Sequence, residues 1–300
     1  MKHPFKVGKR YRNRRDEYEV VSIEGPEMVI RYSDGNVLET NVEIQARIWQ
    51  NIQMEKKVEE RHRKKDLARQ RRSRGGRFDG LEDSDFQEGV KGTSWRSRPN
   101  LGGLLAQRMS ETTKYNFQSY AVNPWPEVHV VRPSYYDRMA REQKAKFVFG
   151  LNDERVRYGF YIEKNDGPMD DAWDWPRAIN ALDDDTALQG EIETAMRKLD
   201  LHWEVHVSGE LIAQVRAGEE NLVWEGQDAD SPEGGTENIS WFDFVSRLRA
   251  IEVEQWCDLY LCAHTDKSQA RAEGEHIAAL VTKVYRALLP LYETSVQYVD

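Results

Sequence analysis

The sequence predicts an α+β protein in two parts. A small N-terminal β-barrel carries a basic helical arm, and a larger α+β domain follows, with a mostly antiparallel sheet covered by helices. Three observations support this. Short alternating segments broken by turn residues fill residues 5–40, helical periodicity takes over at Val42, and the charge changes sign near residue 77. At 300 residues the chain has room for about two cores. The expected division is 1–45 barrel, 46–77 arm, 78–125 irregular linker and 126–300 acidic domain.

In the first part, Val7-Gly8 opens a turn, and Glu17-Tyr18-Glu19-Val20-Val21-Ser22-Ile23 alternates as a half-buried strand does. Glu24-Gly25-Pro26 is a turn, Met28–Tyr32 the next strand, and Ser33-Asp34-Gly35-Asn36 a tight hairpin favoured because Gly tolerates positive φ. Val37–Thr40 returns. Strands this short and this close together can close into a small barrel. Ile44, Ile48 and Ile52 then recur near helical spacing and could pack on it. Beyond Met54 the apolar stripe fades into mixed charge, then the basic run Arg69-Gln70-Arg71-Arg72-Ser73-Arg74, ended by Gly75-Gly76.

The runs Gly8-Lys9-Arg10-Tyr11, Tyr18-Glu19-Val20-Val21 and Ile30-Arg31-Tyr32-Ser33-Asp34-Gly35 resemble SH3-like small barrels of the Tudor and KOW kind. The resemblance covers about the first 45 residues. It implies a barrel that binds nucleic acid, modified protein tails or partner proteins.

In the second part, a short helical piece is expected at Leu101–Met109, and Ser134 can cap a helix over Tyr135–Gln143. Lys146–Leu151 and Val156–Ile162 flank Asn152-Asp153-Glu154-Arg155 as a hairpin. Helices are expected over Pro176–Leu182 and Thr186–Leu199, and strands over Trp203–Val207 and Leu222–Trp224. Ser240 and Asp243 form a capping pair for a helix over Trp241–Ala250. Trp256–Cys262 reads as a buried strand. Ile277, Leu280, Val281, Val284, Leu288 and Leu291 define a final helix with one apolar face.

The net charge of −9 conceals a division. Residues 1–77 hold 20 Lys/Arg against 12 Asp/Glu, and residues 78–300 hold 23 against 40. Such asymmetry speaks of partners: nucleic acid, an acidic protein, or the acidic half of the same chain. Arg10, Arg12, Arg14 and Arg15, with Lys64, Lys65, Arg69, Arg71, Arg72 and Arg74, are the candidate phosphate contacts. A solvated charged helix is the competing reading. Eight of the nine Trp lie after residue 90, and Trp173 and Trp175 sit in an Asp-rich stretch, which makes them candidates to stack on bases if they are not core.

His202, Glu204 and His206 would share one face of a strand, because strand periodicity is two. Two imidazoles and a carboxylate can hold zinc or iron, although a fourth donor, His264 or His276, would have to arrive by folding. The alternative is the polar outward face of an edge strand. Glu163-Lys164 and Asp258 lie in or beside strands without the Glu-x-Lys spacing of restriction-type nucleases. Gly102-Gly103 and Gly234-Gly235 lack the context of a phosphate loop, and no Gly-x-Ser-x-Gly occurs. No cofactor is expected. The two cysteines, Cys257 and Cys262, fit buried thiols in a reducing compartment. No apolar run of ~18 residues spans a membrane, and residues 1–6 lack the apolar core of a secretory signal, so the expectation is cytoplasmic.

The leading expectation is a non-catalytic nucleic-acid-binding or recognition protein, in a specific form a subunit of a prokaryotic defence or DNA-processing system. A protein–protein interaction adaptor is the first alternative. A metal-dependent hydrolase built on His202, Glu204 and His206 is the second.

Overall fold

The structure is a computed structural model that describes residues 3–13, 15–54, 56–57, 78–87, 94–96, 100–122, 125–132, 144–169, 173–226 and 234–296. Contacts divide the chain into a small unit, residues 1–68 with 298–300, and a large one, residues 69–297.

The small unit is a four-stranded antiparallel meander of β1 (Arg10–Arg12), β2 (Glu17–Glu24), β3 (Glu27–Tyr32) and β4 (Val37–Asn41), followed by helix α1 over residues 42–54. Alternation along β2 and β3 turns Tyr18, Val20, Met28, Ile30 and Tyr32 into a core shared with Phe5 and Val42. A bulge at Val20/Ser22 bends β2. Among the described residues the sheet stays open in the order β1-β2-β3-β4, with no pairing that closes it into a barrel. The expected isoleucine stripe holds only in part: Ile52 is buried and Ile48 half-buried, but Ile44 is exposed, and Ala46 and Trp49 pack on the core that includes Val42. Strict four-residue spacing drifts around a helix of 3.6 residues per turn, whereas steps of three and four stay on one face. The remainder of the expected basic arm lies outside the described residues.

The large unit is built on a nine-stranded antiparallel sheet in the order β12-β11-β10-β9-β13-β8-β7-β6-β5. Its strands are β5 (Gln118–Val122), β6 (Glu127–Val131), β7 (Lys146–Leu151), β8 (Arg155–Lys164), β9 (His202–Val207), β10 (Glu210–Ala217), β11 (Leu222–Gly226), β12 (Gly235–Ile239) and β13 (Cys257–Asp266). The helices are α2 (Leu101–Thr112), α3 (Asp174–Asp184), α4 (Thr186–Leu199), α5 (Trp241–Ala250), α6 (Lys267–Ala272), α7 (Ile277–Ala287) and α8 (Leu289–Ser295). The described part of residues 78–125, expected as a linker, includes elements of this unit: α2 packs on β5 and β6, and β5 is the sheet's edge strand. The expected helix over Tyr135–Gln143 lies outside the described residues.

Strand alternation gives this sheet two unlike faces. Val128, Val130, Phe147, Phe149, Tyr158, Phe160, Ile162, Trp203, Val205, Leu259 and Leu261 are buried on one. Helices pack there: Phe147 stacks on Tyr285 of α7 at 4.7 Å and on Tyr292 of α8 at 4.9 Å, and Trp203 meets Phe244 of α5 at 5.5 Å. The intervening residues, Glu127, His129, Lys146, Arg157, Tyr161, Glu163, Glu204, His206, Asp258, Tyr260 and His264, share the other face by register. That face is polar although much of it is buried.

At Gly159 the backbone of β13 passes close to β8. A Cβ there would lie 2.1 Å from the Leu261 carbonyl oxygen and 2.6 Å from the Cys262 Cα. Among the described residues, no helix is long and apolar enough to cross a membrane.

Candidate functional site: a polar, ring-lined sheet face

The centre of the polar face is Arg157 on β8. Its Nη2 is 3.2 Å from Glu127 Oε1 on β6 and its Nη1 3.0 Å from Glu204 Oε2 on β9, so one guanidinium ties three strands. The Cζ stands 3.7 Å from the centre of the Tyr260 ring. Tyr260 in turn stacks on Tyr161, 4.4 Å away and inclined by 7°. Burial works against the Arg157 charge, but the surrounding Tyr260, Glu127 and Glu204 outweigh it and hold the guanidinium firmly protonated.

Towards β5, Glu127 Oε2 meets His129 Nε2 at 3.3 Å and His129 Nδ1 meets the Tyr120 hydroxyl at 3.2 Å. Burial pushes the His129 imidazole below its ordinary range, favouring the neutral ring. At the far end, the Lys146 ammonium pairs with the Glu163 carboxylate, both buried. Burial raises the Glu163 carboxyl in spite of that lysine. Asp258, opposite Glu163 in the register, accepts hydrogen bonds from the Tyr161 hydroxyl at 2.7 Å and the Trp256 indole at 2.9 Å.

These groups line a cleft of about 610 Å³ whose wall also includes Trp125, His206 and Gly209. Trp125, in the turn between β5 and β6, is 64% exposed, a large apolar ring beside polar ground. Of the charged residues in the wall, Glu127, Glu163 and Asp258 face Lys146 and Arg157, so the cleft leans acidic. Comparison with known protein families and with curated proteins finds no match.

The residues expected from sequence fall as follows. His202, Glu204 and His206 do share one face of β9, but β9 lies between β10 and β13 and is not an edge strand. Glu204 is 2% exposed, where an outward polar face would leave it in water. Burial alone would raise its carboxyl; the nitrogens of His202 and His206 and the charge of Arg157 hold it well below the carboxylate range instead. His264 arrives from β13, with Nε2 3.3 Å from Glu204 Oε1, whereas His276 lies in a 3₁₀ turn before α7.

Trp175 is 4% exposed at the start of α3, its faces already packed, and Trp173 is half-buried beside it. Arg10 and Arg12 are exposed on β1, across from Glu19 and Glu17 in the register, and Arg15 is 3.4 Å from Asp34. Acidic neighbours thus offset these arginines. Arg14, Lys64, Lys65, Arg69, Arg71, Arg72 and Arg74 lie outside the described residues. Sequence reading missed Arg157, Glu127 and His129 because their significance rests on β6 and β8 being joined through β7. The available signal was an arginine inside an otherwise apolar strand, a residue type rarely buried unless paired.

Proposed function

We propose that the chain is a non-catalytic nucleic-acid-recognition protein whose large unit holds a base in the ring-lined cleft. The observation that carries the reading is the cleft itself. An exposed Trp125 stands with Tyr120 and Trp256 in the wall, over a stacked Tyr161–Tyr260 pair and buried polar groups. Aromatic faces stack on bases of any sequence, and polar groups behind them read base edges. The acidic lean suits the amino groups of cytosine, adenine and guanine better than phosphate, since a carboxylate accepts from an exocyclic amine and repels a phosphate. Backbone affinity then falls to the Lys/Arg-rich stretch 61–77, a separate sequence feature that carries 9 of the 20 basic residues of the first part. The absence of catalysis is part of the proposal: Lys146 and Arg157, the basic residues of the cleft, are already paired with carboxylates.

The test is fluorescence anisotropy with single-stranded DNA and RNA oligonucleotides across a salt series. Affinity is expected to fall linearly in log–log form with salt, and to flatten on deletion of residues 56–77. Trp125→Ala should cost about 1–3 kcal/mol of binding at fixed salt, the usual worth of one stacked base. Equal affinity of Trp125→Ala and the parent chain refutes the cleft as the base site. A co-purifying protein that survives nuclease treatment, with no oligonucleotide binding, supports an adaptor instead.

A further inference from the structure

Beside the cleft, the polar face holds four donors that neither the cleft wall nor the helix-covered core uses. His202 and Glu204 alternate on β9, Cys262 and His264 alternate on β13, and the register sets His202 directly across from Cys262. One ligand atom from each lies within 4.8 Å of the other three. Glu204 Oε1 is 3.5 Å from His202 Nε2 and 3.3 Å from His264 Nε2, and Cys262 Sγ is 4.0 Å from that same His264 nitrogen. A tetrahedral ion with bonds of about 2.0–2.3 Å sets its ligand atoms roughly 3.3–3.8 Å apart. We propose that His202, Glu204, Cys262 and His264 form a zinc-binding site that ties β9 to β13.

Hydrogen bonding leaves this group of atoms incompletely explained. His202 Nε2 is buried and makes no well-formed hydrogen bond, its approach to Glu204 Oε1 being long at 3.5 Å. Among the described residues, the buried Cys262 thiol has only the long 4.0 Å approach of His264. Two imidazole nitrogens converge on one oxygen of Glu204, while its other oxygen is taken by Arg157 Nη1 at 3.0 Å and His206 Nε2 at 3.3 Å. Arg157 and His206 thereby fix the carboxylate plane with Oε1 aimed at the group, as residues behind a metal ligand do.

The charge and donor types agree with zinc. A dication balances one thiolate and one carboxylate, and a set of two nitrogens, one oxygen and one sulfur suits a tetrahedral borderline ion, not the all-oxygen shells of magnesium or calcium. Four protein donors fill a tetrahedron and leave no position for water, so the site is structural, whereas a hydrolytic zinc keeps one position open. His206 then supports Glu204 and is not itself a ligand. The assignment is independent of nucleic-acid binding.

The experiment uses the full chain, purified without chelators, with zinc measured by mass spectrometry and cobalt(II) titrated into the zinc-depleted protein. The expected result is about one zinc per chain, and a cobalt spectrum with tetrahedral d–d bands and a thiolate-to-cobalt charge-transfer band. Cys262→Ser should lose the charge-transfer band, while Cys257→Ser, at the other buried cysteine, keeps it. His206→Gln should weaken cobalt binding roughly 10- to 100-fold and leave the spectrum unchanged. The proposal is overturned if parent protein that is folded by circular dichroism takes up neither zinc nor cobalt. It is equally overturned if Cys262→Ser binds cobalt with the parent spectrum. Measurement on the parent chain decides the matter even if a variant fails to fold.

Discussion

Replacing Arg157 by Met keeps most of the side-chain volume and removes the charge that Glu127 and Glu204 share. Each ion pair, at 3.2 and 3.0 Å, is worth about 5 kcal/mol of gross attraction at an effective dielectric of ~20. Desolvating the guanidinium costs several kcal/mol, which offsets about half of that sum. Loss of the contact with the Tyr260 ring adds about 1 kcal/mol. The side chain is 22% exposed, and His129 and His206 remain beside the two carboxylates, so the net loss is discounted to about 3 kcal/mol. Urea unfolding followed by tryptophan fluorescence reads the large unit, since eight of the nine Trp lie after residue 90. With a slope of about 2 kcal/mol/M, the midpoint should fall by about 1.5 M.

The pH dependence supplies a second check on the same variant. Glu127 and Glu204 are both held below their unfolded values, so their contribution is present above about pH 4.3 and is lost as pH falls through the folded values. Without Arg157 both carboxyls rise back towards the ordinary range. The deficit of Arg157→Met should therefore hold its full size from neutrality down to about pH 5 and shrink only as pH falls below about 4. A loss below about 1 kcal/mol at pH 7, or a deficit that grows on acidification, refutes the view of Arg157 as the electrostatic centre of this face.

Two other changes test the same face. His129 is a base held below its unfolded value, so the unfolded chain binds the extra proton; stability should fall as pH drops below about 6.5, and His129→Gln should flatten that fall in urea titrations between pH ~5 and 7. Gly159→Ala should destabilise the large unit by about 2 kcal/mol or more, because its methyl group meets β13 backbone that cannot move aside; an unchanged melting temperature would contradict the close approach.

Local structure was largely legible in the sequence. The helices over Thr186–Leu199 and Trp241–Ala250 have the expected bounds: Asp185 accepts from Ala187 and Leu188 at the start of the first, and Ser240 and Asp243 form the expected capping box at the start of the second. The hairpin of β7 and β8 is likewise as expected. Strand β10 was missed although Ser208-Gly209, both at positive φ, is a tight-turn signal; the polar and charged residues along β10 hid its alternation. Strands β5 and β12 were missed because edge strands are short and half-exposed, with little apolar pattern to read.

By itself, then, the sequence determined the fold class, the sign change in charge along the chain, and which strand residues share a face, since all three depend on neighbours a few positions apart. Only the tertiary structure decided which strands adjoin. That choice sets Glu127, Arg157 and Glu204 in one row across four strand boundaries, and it brings Cys262 and His264 to His202 from some 60 residues away. Periodicity assigns a residue to a face; long-range pairing decides what it meets there, and the chemistry of this face lies entirely in those meetings.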